Sequence, residues 1–144
     1  MLDQPVNALI PTGNVAHVAS DITVLEAVRY MAEVRRGAVP VISGGRLVGM
    51  FSERDLMLRV ILAGLDPGAT RVSDVMSGEL VVAQATDSCR DCLAKMKQMH
   101  FRHLPVVEKG KLVGILSVRD LMEAEAQGQA REIGMLNYYV GYAP

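Results

Sequence analysis

Val39-Pro40-Val41-Ile42-Ser43-Gly44-Gly45-Arg46-Leu47-Val48-Gly49-Met50-Phe51-Ser52-Glu53-Arg54-Asp55-Leu56-Met57 returns 65 residues later as Leu104-Pro105-Val106-Val107-Glu108-Lys109-Gly110-Lys111-Leu112-Val113-Gly114-Ile115-Leu116-Ser117-Val118-Arg119-Asp120-Leu121-Met122. The register needs no gap. Unlike pairs keep their chemistry, as Ile42 with Val107, Arg46 with Lys111 and Phe51 with Leu116. Self-similarity at a fixed period sets the building unit of a fold. Two copies imply a pseudo-twofold axis, and a ligand site beside that axis comes as a related pair.

Working outward, each copy opens on a short apolar strand candidate, residues 15–19 and then 80–83. A helix follows. Thr23-Val24-Leu25-Glu26 and Ser88-Cys89-Arg90-Asp91 each place a hydroxyl cap three residues before an acid. Val24, Ala27, Val28, Met31 and Val34 recur at helical spacing, matched by Cys89, Cys92, Leu93, Met96 and Met99, and predict core faces. Met57 and Met122 are assigned to the core on the same ground. Ser43-Gly44-Gly45 and Glu108-Lys109-Gly110 supply turn chemistry between two strands. Ser52-Glu53-Arg54-Asp55 and Ser117-Val118-Arg119-Asp120 then start a second capped helix. The expected class is α/β (α+β), a β-α-β-β-α unit given twice, over residues 7–65 and 66–122. Residues 123–144 are expected to extend the last helix, interrupted at Gly128 and Gly134 and ending in Tyr138, Tyr139 and Tyr142.

At 144 residues, the chain is long enough to bury one core without staples. Half of it is apolar, 22% is charged, and the net charge of −1 exerts no general pull on nucleic acid or anionic membrane. With no Trp and two Phe, stacking platforms for single-stranded nucleic acid are scarce. No apolar run approaches the roughly 20 residues of a membrane helix. Met1-Leu2-Asp3-Gln4-Pro5 has neither a basic nor an apolar signal region, and two cysteines make no disulfide framework. A cytoplasmic location is expected, with no nucleic acid and no membrane among the partners.

The tandem unit resembles the cystathionine-β-synthase-type (CBS) domain pair. The likeness rests on apolar-Pro-Val-apolar opening each hairpin and Gly-apolar-apolar-Ser-x-Arg-Asp closing it. Asp74-Val75-Met76-Ser77 also matches the segment that commonly opens a repeat in that family. The resemblance runs from about Asn7 to Met122. It implies a pseudo-twofold module with two clefts that take adenosyl ligands, namely AMP, ADP, ATP, NAD(H) or S-adenosylmethionine. It further implies a homodimer that regulates another protein rather than performing catalysis, with an adenine nucleotide as regulatory ligand and no metal needed for folding. The rival readings are a structural or interaction module that binds no ligand, and an S-adenosylmethionine binder.

The resemblance carries site roles onto particular residues. Family members hold the ribose hydroxyls with the Asp of the Ser-x-x-Asp motif and keep its Ser near the phosphate, which points to Ser52, Asp55, Ser117 and Asp120. As a bare pattern the motif is equally a capping device, and it recurs at Thr23 and Ser88, where no ligand is assigned. Physics allows both at once, since a helix N-terminus offers free N–H groups to a phosphate. Arg102 and His103, just before Leu104-Pro105, are expected at a cleft mouth as a cationic edge. Their counterparts Gly37 and Ala38, before Val39, leave only small residues there. The cleft carrying Asp120 and Arg102-His103 is therefore expected to bind more tightly than the one carrying Asp55. Thr70 matches a family position that often contacts ligand, with Val15 and Ala16 as its approximate partners; all three are equally ordinary linker and strand residues. Arg54 and Arg119 oppose the dipole of a first helical turn, so a phosphate or an acidic partner is expected to justify them. Cys89-Arg90-Asp91-Cys92 is formally a C-x-x-C, but both cysteines fall on the apolar face and no second ligand pair exists for zinc. No nucleophile, base and orienting group form a set, so no catalytic residue is assigned.

Overall fold

The structure, a computed structural model, describes residues 3–10 and 15–127. Two three-stranded sheets, one per copy, form its frame. In the first, β1 (Val18–Ala19) pairs in parallel with β2 (Ala38–Ser43), which pairs antiparallel with β3 (Arg46–Ser52). In the second, β4 (Ala83–Gln84), β5 (His103–Glu108) and β6 (Lys111–Ser117) repeat that order. The correspondence reaches the defects: the ladder slips between Val41 and Ile42 and again between Val106 and Val107. The opening strands are two residues each, shorter than the sequence suggests, because only Val41–Ile42 and Val106–Val107 offer them partners.

Helix α1 (Val24–Val34) starts on a reciprocal capping box: Glu26 N–H donates to Thr23 Oγ1 at 3.1 Å and Thr23 N–H to Glu26 Oε2 at 3.2 Å. Its counterpart α4 (Cys89–Met99) is capped by Ser88, which accepts from Asp91 N–H at 3.1 Å. Both helices end on a left-handed residue, Arg35 (φ 56°) and His100 (φ 57°). The hairpin turns need positive φ at both central positions. Gly44 and Gly45 meet this at φ 57° and 78°, whereas Lys109 and Gly110 hold 51° and 77°.

The copies diverge in their second helices. Helix α2 (Glu53–Asp55) widens over Leu56–Ile61, where Leu62 N–H reaches back five residues to the Met57 carbonyl at 2.9 Å. In the second copy, residues 118–127 form an ordinary α-helix, α5. Gly128, Gly134 and the tyrosines at 138, 139 and 142 lie outside the described residues.

Each copy buries its own apolar cluster, one around Val24, Val39, Val41 and Phe51, the other around Cys89, Met96, Leu104 and Leu116. Met31 and Met96 are core as expected, but Met57 and Met122 are more than half exposed and Met99 is 46% exposed. Helical spacing assigns a face; it does not say whether a neighbour covers that face.

The copies are interlocked. A short helix, α3 (Val72–Val75), precedes the second copy in the chain yet buries Val72 and Val75 in the first copy's cluster, tied by Val72 N–H to the Ile22 carbonyl at 3.0 Å. Reciprocally, the N-terminal 3-10 turn (Val6–Ala8) buries Val6 in the second copy's cluster, with Val6 N–H bonded to the Asp87 carbonyl at 2.8 Å.

Candidate functional site

Because the chain crosses over, residues from both copies meet in one cleft of about 460 Å³. The second copy contributes His103 at the start of β5 and Ser117, Arg119 and Asp120 at the β6–α5 junction. From the first come Arg35, Arg36, Gly37 and Ala38, where α1 turns into β2, and Val15 and Ala16 ahead of β1. Ile10, Val113 and Ile115 complete an apolar wall.

Asp120 is exposed in this cleft and is also a cap residue. Its backbone N–H donates to Ser117 Oγ at 3.0 Å, and its Oδ2 accepts from Ser117 N–H at 3.0 Å. Those bonds leave further lone-pair positions on the carboxylate. Arg119 pairs with Glu123 at 3.1 Å, both well exposed, so that pair adds little to stability and leaves the guanidinium available. His103 is half-buried, and burial holds its imidazole below the ordinary value of 6.5; Asp120 and Glu53 pull the other way, while Arg102 and Arg36 reinforce the drop.

The sequence candidates divide accordingly. Val15, Ala16, Gly37, Ala38, His103, Ser117, Arg119 and Asp120 meet in this cleft. Arg102 does not line it: its side chain is exposed and its carbonyl accepts Val118 N–H at 2.9 Å, which fixes the backbone beside α5. Thr70 does not line this cleft: its hydroxyl donates to the Asp66 carbonyl at 2.8 Å and its own carbonyl accepts Val24 N–H. Val39 and Leu104 are fully buried, and Pro105 is buried beside them, so these three back the site from the core. Ser52, Arg54 and Asp55 stand at the equivalent place of the first copy, outside this cleft. There Asp55 is 7% exposed and hydrogen-bonded to Ser52 and Ser77.

The first copy's edge does not consist only of small residues. Arg35 and Arg36 bring two guanidiniums to it, missed because a position-by-position pairing of Gly37-Ala38 with Arg102-His103 stops one residue short of them. The adjacent Arg-Arg before Gly37 was the available signal. Ile10 had none, since it arrives from the crossed-over segment.

A family model described as the CBS domain matches the chain twice, over residues 6–61 and 72–127. The chain belongs to the CBS-domain family. Among relatives of this CBS pair, the CBS domain-containing protein YhcV of Bacillus subtilis is 41% identical over 123 residues, spanning 83% of this chain and 87% of that protein. CBSX2 of Arabidopsis thaliana, solved in complex with AMP, superposes with a TM-score of 0.74 at 26% identity over 88% of this chain and 98% of that one. Hypoxic Response Protein I, solved with two coordinated zinc ions, superposes with a TM-score of 0.74 at 27% identity over 83% and 98%. Among the described residues of the present CBS pair, no group of three or more His, Cys, Asp or Glu side chains is placed to hold a metal. Cys89 and Cys92 are buried free thiols; burial raises both, Cys92 to about 11. No described helix is long and apolar enough to cross a membrane.

Proposed function

We propose that this CBS pair is a regulatory sensor that takes an adenine nucleotide, AMP, ADP, ATP or NAD(H), in the Asp120 cleft and relays its occupancy to a partner protein without catalysing a reaction. The carrying observation is the convergence in one cleft of an exposed helix-start carboxylate, two guanidiniums from the opposite copy and an apolar wall. A carboxylate such as Asp120 accepts two charge-assisted hydrogen bonds from a ribose cis-diol. Arg35 and Arg36 suit phosphate oxygens, and a purine gains by leaving water against Val15, Ala16 and Ile10. The AMP complex of CBSX2 supports the adenosyl class. A ligand touching both copies favours their closed arrangement by no more than its difference in affinity for the two states.

The protein acts as a cytoplasmic homodimer. Met57, Leu58, Ile61 and Leu62 of the first copy are exposed apolar side chains that a second chain would cover, and Met122 of the second copy is exposed as well.

A thermal-shift panel of AMP, ADP, ATP, NAD(H), S-adenosylmethionine and guanosine nucleotides tests the reading. A ligand at about 100 times its Kd adds roughly 2.7 kcal/mol, which moves the melting point by roughly 8–12 °C. Asp120→Ala removes most of that shift. A response to S-adenosylmethionine alone, or to no adenosyl compound, replaces the reading with the methionine derivative or with a ligand-free interaction module.

A further inference from the structure

The Asp120 cleft does not end at its cationic edge. Arg35, Arg36 and Gly37 also line an adjoining hollow of about 440 Å³, which is closed by one side of α1 and by Glu53. Glu53 opens α2 and lies directly over that shared edge. Its N–H donates to the Gly37 carbonyl at 2.9 Å, and a Cβ on Gly37 would stand 3.3 Å from the Glu53 carboxyl carbon. The absence of a side chain at Gly37 is what lets the carboxylate settle there. It is exposed, and among the described residues it forms no ion pair. Its charge still reaches the cleft, where it is one of the groups acting on the His103 imidazole. The second copy has Val118 at this position, so the repeat does not need an acid here to start its helix.

We propose that Glu53 sets how many phosphates the Asp120 cleft accepts, favouring a nucleoside monophosphate over a triphosphate. This rests on the reading that the cleft takes an adenine nucleotide with its phosphate toward Arg35 and Arg36. A single phosphate ends at the two guanidiniums. A longer phosphate chain runs past them into the adjoining hollow, where the Glu53 carboxylate meets it with like charge and has no cation of its own to offset the repulsion. The repulsion acts partly through water, so it is modest and falls as salt is added.

Calorimetric titration of the full chain with adenosine, AMP and ATP, in buffer without divalent cations, reads the preference. Glu53→Gln keeps the shape of the side chain and removes its charge. It should raise the affinity for ATP about 3–10-fold and that for AMP less than about twofold, and leave adenosine unchanged. Glu53→Val, which copies the second repeat, should shift the ATP-to-AMP ratio in the same direction, and high salt should shrink the gap between wild type and either variant. The same ATP-to-AMP ratio in the wild type and both folded variants overturns the role of Glu53, sends the outer phosphates toward Arg119 and leaves the adenine-nucleotide reading standing. A gap that survives high salt overturns it too, because it marks a steric effect rather than a charge. Failure of the wild type to bind any of the three ligands overturns the reading of the cleft and this proposal with it.

Discussion

Met76 lies against Gly49 so closely that a Cβ on the glycine would stand 2.6 Å from the methionine sulfur and 2.9 Å from the Ser77 carbonyl oxygen. Ile10 covers Gly114 in the same way. The repeated glycine of the Gly-apolar-apolar-Ser motif is thus the place where the crossed-over segment of the chain touches the sheet of the other copy. Gly49→Ala is expected to cost about 1–3 kcal/mol, because the backbone oxygen cannot swing aside as a side chain can. Thermal or urea denaturation measures it, with Gly78→Ala, which meets open space, as the neutral control.

Arg35 and Arg36 face the cleft from the first copy, and no described carboxylate lies within ion-pair distance of either. Arg36→Ala is expected to weaken AMP or ATP binding about 10–100-fold, the worth of a charge-assisted hydrogen bond. Adenosine, which lacks the phosphate, should bind the variant and the wild type alike. Equal losses for adenosine and AMP would move the phosphate away from this edge.

Burial depresses the His103 imidazole below its ordinary value. The unfolded chain therefore takes up the proton first, and stability falls as the pH drops through about 6.5, levelling off once the folded protein is protonated too. Denaturation from pH 8 to 5 should show this loss in the wild type and a smaller one in His103→Gln. A phosphate bound nearby should favour the imidazolium, so nucleotide affinity should rise as the pH falls from 8 to 6 in the wild type only.

Ile61, at the end of the widened α2 segment, is 56% exposed, and Leu62, just beyond it, is 73% exposed. If this face is the contact of the proposed dimer, Leu62→Glu gives a monomer by light scattering while leaving the circular dichroism spectrum intact. A wild-type chain that runs as a monomer at all concentrations would remove this face as a dimer contact.

Cys89 and Cys92 are buried, with thiols pushed up, Cys92 to about 11, so few thiolates exist at neutral pH. Alkylation should be slow in the native protein and complete within minutes in urea. Rapid native labelling would show that α4 opens readily.

Much of this was legible beforehand because the signals are local and occur twice. The capping hydroxyls at Thr23, Ser52, Ser88 and Ser117 all cap helices, and the turns at Gly44-Gly45 and Lys109-Gly110 both close hairpins. Eight of the expected site residues meet in one cleft. Thr70 and Arg102 lie outside that cleft, because which residues meet in it depends on where the chain crosses, and no periodicity encodes that. Met57 and Met122 share the helical spacing of core residues, but burial depends on a neighbour that the pattern does not specify.

By itself the sequence determined the unit, its duplication and the family, since caps, turns and apolar periods act over a few residues and a gapless 65-residue repeat leaves one register. Only the tertiary structure decided that the two copies of Ser-x-x-Asp differ. Each copy is flanked by a segment that packs on the other, so a carboxylate's surroundings come from residues far away in the chain. Asp55 meets Ser77 from the linker and Arg59 from the widened helix, whereas Asp120 faces Gly37 and Arg36 across an open cleft. The motif is the same; the partners are set by packing between the copies.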